Sequence, residues 1–172
     1  MLKRTLVAAA AALAISPLQA SAQNPIRDSL RGLYEITKAN VMATARDLSP
    51  EVYAYRPTPD VRTAGQILAH IADAQYMFCS TAAGESSPQT EGIEQNRTTK
   101  PRIIEALEES SAYCDRVFAN TTDAQGGRSV NLMGAPTTAF GALAFNSAHN
   151  YEHYGNLVTY MRMNGIVPPS SR

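Results

Sequence analysis

The chain has 172 residues, 15 basic against 15 acidic side chains, and 44% apolar residues. That size suits one domain with a real core. The Lys and Arg are scattered, with no basic patch interleaved with aromatics, so the footprint of a nucleic-acid partner is absent.

Met1 to Ala22 reads as a signal peptide. Lys3 and Arg4 form a short basic region, Leu6 to Ile15 is an apolar run, and Ala20-Ser21-Ala22 has the small-x-small pattern of a cleavage site. The expected product begins at Gln23, is exported to the periplasm or secreted, and carries a net charge of about −2 over about 150 residues. The apolar run falls short of the roughly 20 residues that span a bilayer, and no later stretch is apolar enough, so no integral membrane segment is expected.

The first predicted helix starts at Asn24, an N-cap, with Pro25 in its first turn. Apolar or small residues at Ile26, Leu30, Leu33, Ile36, Thr37, Val41 and Ala45 give a three-to-four spacing up to Leu48. Ser49-Pro50 ends it. A Pro-rich connection follows, in which Tyr53 and Tyr55 can pack on helix ends. Thr63 and Gln66 make a capping box for a second helix to about Ala83, closed by Gly84. His70 falls at its apolar stripe and needs a partner there, and Asp73, one turn on, can orient it.

Gly84 to Thr99 is a polar connection with room for one helical turn. Thr98 or Thr99 caps a third helix whose inward set includes Ile103, Leu107, Cys114 and Phe118. Asn120 to Gly134 reads as loop, and only Ser129 to Leu132 has β character. The fourth helix is expected from Pro136-Thr137-Thr138 to Asn164, about 42 Å long, with Gly165 at its end and Pro168-Pro169 preventing continuation. Four long helices and three connections predict an all-α four-helix bundle.

Two cysteines remain. In an oxidising compartment Cys79 and Cys114 either join as a disulfide or stay as two small buried thiols. Cys79 as a metal ligand is disfavoured, because nine residues after His70 it points half a turn away.

The chemistry concentrates in the last helix. His149 and His153, four residues apart, stack on one face about 6 Å from each other, close enough to share a divalent ion. With His70, the third and last histidine, they can converge if helices two and four pack. The competing reading is three hydrogen-bonded histidines that never meet. A zincin protease is disfavoured because Asn150 follows His149 where that motif needs Glu. Glu152 is a candidate general base or acceptor for a ligand ring N–H, and equally a solvent-facing glutamate. Tyr151 and Tyr154 are candidate pocket walls.

Taken together, Tyr55-Arg56-Pro57-Thr58-Pro59, Gly65 to His70, and His149 to Asn156 followed by Gly165-Ile166-Val167-Pro168-Pro169 resemble the DinB-like (YfiT-like) family of metal-binding four-helix bundles. The resemblance covers nearly the whole chain after residue 22. It implies a divalent metal cation, zinc or nickel, held by His70, His149 and His153. It implies a metal-dependent hydrolase or transferase acting on a small-molecule substrate; the alternative is a non-catalytic helical bundle that binds a ligand or partner and has a structural or vestigial metal site. Related bundles pair through their helices, so a homodimer is a further expectation. Tyr154 and Asn156 stand where many members carry Arg and Gln.

Overall fold

The computed structural model describes residues 23–172, so the candidate signal peptide lies outside the described residues. Four long helices form the bundle: α1 (Pro25–Asp47), α3 (Ala64–Ala83), α5 (Lys100–Asn120) and α7 (Ala139–Met163). One-turn helices α2 (Pro50–Tyr53), α4 (Ile93–Asn96) and α6 (Asp123–Gly126) lie in the connections. A hairpin of β1 (Ser129–Leu132) and β2 (Ala135–Thr138) precedes α7. Both α1 and α3 pack against α5 and α7, so these two stand diagonally across the bundle. The expected all-α architecture holds, and no described helix is long and apolar enough to cross a membrane.

The caps set the helix ends. Thr63 and Gln66 form the expected capping box on α3, whose far end turns through Gly84 at φ 74°, a left-handed conformation that suits glycine. At α1, Asn24 occupies the N-cap position, but its side chain accepts from the Asp123 backbone N–H at 2.8 Å. Asp123 in turn accepts from Ile26 N and Arg27 N at 3.1 and 2.9 Å. Asn24 and Asp123 thus exchange caps, tying α1 to α6 over nearly a hundred residues. A carboxylate at this end also meets the positive pole of the helix dipole.

Two sequence expectations fail. The first is part of the α1 stripe: Ile26, Leu33 and Ile36 are exposed at 55%, 51% and 55%, while Thr37, Val41 and Ala45 of that stripe are buried as expected, together with Tyr34. Tyr34 wins the interior because its ring stacks on Phe118 at 4.8 Å and its hydroxyl donates to the Ser111 carbonyl, burying more apolar area than a leucine would without orphaning a donor. The second is the start of the last helix. Residues 135–138 pair antiparallel with 129–132 instead of opening α7, with Leu132 opposite Ala135. Met133 and Gly134 both have positive φ (51° and 85°), the two-residue geometry that matches strand twist, and Asn131 Oδ1 accepts from Gly134 N at 2.9 Å. Pro136 sits in a two-stranded edge, where a missing N–H is tolerated. Helix α7 then begins one residue after Thr138, whose hydroxyl accepts from Gly141 N.

Cys79 and Cys114 form a disulfide that joins α3 to α5, which resolves the alternative left open by the sequence. Tyr53 donates to the Ala45 carbonyl at 2.6 Å, and Tyr55 meets Tyr160 edge-on, so both loop tyrosines do pack against helices.

Candidate metal centre

The packing of α3 on α7 brings all three histidines together. Their ring centroids lie 4.3 Å (His149–His153), 4.8 Å (His70–His153) and 5.1 Å (His70–His149) apart. One nitrogen from each falls within 4.8 Å of the others, and among the described residues no Cys, Asp or Glu joins the group. The Nε2 atoms of His149 and His153 are 3.0 Å apart. Two nitrogens each about 2.0–2.1 Å from one ion stand roughly that far from each other, so the donor set fits a divalent cation with positions left over.

Burial keeps the rings neutral. Desolvation, then the charges of His153, His70 and Arg62, push His149 from 6.5 to about 4. His70 and His153 are lowered by desolvation first, with Arg62 also pushing down on both and Glu94 and Glu152 pulling up. A neutral imidazole is the form that donates a lone pair to a metal, so the field prepares the cluster for binding at neutral pH. Phe78 and Phe145 wall this side: Phe78 meets both Phe145 and the His149 ring at 5.2 Å, edge-on.

The polar atoms around the cluster are unusual. Among the described residues, every buried side-chain N or O without a partner lies on α7: both carboxamides of Asn146 and Asn150, the Ser147 hydroxyl, and Nδ1 of His149 and of His153. Buried polar groups in folded proteins are normally paired, and exceptions gather where function requires them. The orphaned Nδ1 atoms are what two rings look like when their other nitrogens are directed at a common point.

Other predicted site residues divide. Asp73 does not hydrogen-bond to His70; its carboxylate accepts from Ile93 N and Glu94 N at 2.7 and 2.9 Å, pinning α4 against α3. The carboxylate within ion-pair reach of His70 is Glu94, with Oε2 3.4 Å from Nδ1 and Oε1 taking Arg62 Nε at 2.9 Å. Sequence reasoning missed Glu94, which lies 24 residues from His70 in a polar connection with no period to signal its direction. Glu152 is exposed at the rim, near enough for its charge to act on His70 and His153. Tyr154 is not a pocket wall: it is 5% exposed, and its hydroxyl donates to Ser170 Oγ and accepts from Ser170 N, docking the C-terminal turn on α7. Tyr151 is 40% exposed. A cleft of about 360 Å³ is lined by Arg56, Gln66, Arg97 and Thr98 among others; none of the histidines lines it, but Glu94, which reaches His70 Nδ1, does.

A family model described as the DinB superfamily matches residues 33–157. No curated protein matches the chain by sequence. Among solved structures, a DinB-like protein from Bacillus cereus superposes with a TM-score of 0.71 at 17% identity, covering 83% of this chain and 95% of that one. A DinB-like protein from Bacillus subtilis, YjoA, gives 0.64 at 20% identity, covering 80% and 92%. A mycothiol-dependent maleylpyruvate isomerase gives 0.61 at 18% identity, covering 76% of this chain and 60% of that one. At these identities the likenesses show the shared fold.

Proposed function

The chain belongs to the DinB superfamily, and from that premise we propose that it is an exported metalloprotein that uses a divalent ion, zinc or nickel, on His70, His149 and His153 for hydrolysis or group transfer on a small molecule. The observation that carries this reading is the convergence of three neutral ring nitrogens from two helices with no fourth protein ligand among the described residues. A structural site is closed by four protein ligands, whereas a catalytic one keeps a position for substrate. When bound, the ion would supply Lewis-acid activation at that position.

The chain's own groups then divide the work. His149 and His153 hold a fixed spacing because one helix carries both, and His70 completes the set from across the interface. Phe78, buried in the core, covers the His149 ring edge-on. Glu152, exposed beside His153, is the carboxylate placed to take up or return a proton at the rim. The signal-like start and the disulfide, which suits an oxidising compartment, support export.

The first test is metal content by mass spectrometry on protein beginning at Gln23, alongside a folded His149→Ala/His153→Ala variant. Near one ion per chain in the parent and none in the variant is the expected result. No ion in the parent after incubation with zinc or nickel would overturn the reading. The isomerase of like fold sets the first activity assay, thiol-dependent isomerisation, with ester and amide hydrolysis next. Export is checked by N-terminal sequencing of protein from the extracytoplasmic fraction: a start at Gln23 supports it, and an intact Met1 sinks it.

A further inference from the structure

The three rings are not held alike. His149 and His153 are spaced by one helix backbone, but His70 comes from α3 and keeps 27% of its side chain exposed. The group that reaches its Nδ1 is Glu94, whose side chain is only 17% exposed although it sits in a connection between helices.

That connection is held in place by three contacts. Ile93 is 1% exposed and anchors α4 in the core. Asp73, one turn beyond His70 on the same helix, accepts the N–H groups of both Ile93 and Glu94. Arg62, just before α3, neutralises Glu94 through Oε1 and leaves Oε2 facing the ring. The chain therefore leaves α3, is caught by α3 again at Asp73, and returns a carboxylate to α3 at His70. A charged group so largely covered requires partners, and here the partners are one guanidinium and one imidazole.

We propose that Glu94 is a positioning residue for the metal centre: it accepts the Nδ1–H of His70 and so directs the Nε2 lone pair into the histidine cluster. The proposal rests on the reading that the cluster holds an ion. A carboxylate behind a ligand imidazole fixes the tautomer, restrains the ring and raises its basicity, and losing such a partner typically costs 10–100-fold in metal affinity. Asp73 and Arg62 act through Glu94, the first by placing its backbone and the second by balancing its charge.

The test is zinc affinity by chelator competition on the chain from Gln23, for the parent, Glu94→Ala, Glu94→Gln and Asp73→Ala, with thermal melts to establish that each is folded. Glu94→Ala is expected to bind zinc about 10–100-fold more weakly. Glu94→Gln, which retains an acceptor oxygen, is expected to recover part of that loss. Asp73→Ala is expected to weaken binding although Asp73 makes no hydrogen bond to a ring. Affinity in folded Glu94→Ala within twofold of the parent overturns the proposal. If the parent binds no zinc, the metal reading itself fails. The contact is then judged by ring nitrogen NMR of metal-free protein, where a His70 protonated at Nδ1 in the parent and at Nε2 in Glu94→Ala upholds it and identical tautomers overturn it.

Discussion

Helix α3 packs on α5 along one face and on α7 along the other, and the two contacts are built from different chemistry. Toward α5 the polar groups are matched: Ser111 Oγ donates to Gln75 Oε1, Tyr34 reaches the Ser111 carbonyl from α1, and the Cys79–Cys114 bond ties the helices covalently. Toward α7 the contact carries the three histidines, and α7 itself holds, among the described residues, all the buried side-chain polar atoms that lack a partner. The difference shows how a small bundle can hold a site. One face of a shared helix supplies stability, which lets the other carry groups arranged for a ligand at some cost to packing.

The largest expected effect tests the stabilising face. Replacing both cysteines by alanine should destabilise the fold by about 3–4 kcal/mol in chemical denaturation, since the bond closes a loop with a sequence separation of 35. Zinc stoichiometry measured below the unfolding transition should be unchanged. A folded variant that loses its metal would show that the two faces are coupled and break the comparison.

Polar deletions should then have opposite outcomes on the two faces. Gln75→Met removes the partner of the buried Ser111 hydroxyl and should cost about 1–3 kcal/mol, whereas Asn150→Leu removes a carboxamide with no partner to orphan and should be neutral or stabilising in metal-free protein. Equal losses at the two positions would mean that Asn150 is paired in solution, and would erase the contrast.

The last effect is in pH. His149, held at about 4 in the fold against 6.5 when unfolded, makes the unfolded chain bind more protons in that interval. The lowered values of His70 and His153 act in the same direction. Stability of metal-free protein should be full above about 6.5 and drain away as pH falls toward 4. His149→Gln should flatten the slope. On the α5 face the disulfide does not titrate, and burial with the Asp115 charge pushes Tyr34 above its usual range.

Much of this was readable beforehand where the governing interactions are local. The Thr63–Gln66 cap, the left-handed Gly84 and the His149–His153 spacing all follow from residues within a turn of each other. The inward face of α1 was partly misread because apolar spacing fits two overlapping stripes, and the choice went to Tyr34 through Phe118 and Ser111 on α5. The hairpin was missed because Met133-Gly134 lacks the Asn or Asp that usually marks such a turn.

From sequence alone came the four helices, the helical placement of all three histidines and the family that they resemble, because helix periodicity, capping and motif spacing act over a few residues. The tertiary structure alone decided that His70 meets the other two, that Cys79 pairs with Cys114, and that Glu94 rather than Asp73 stands behind His70. Each of these joins residues 20 or more positions apart, and such contacts are set by how whole helix faces pack and by where a connection is anchored, which no local pattern encodes.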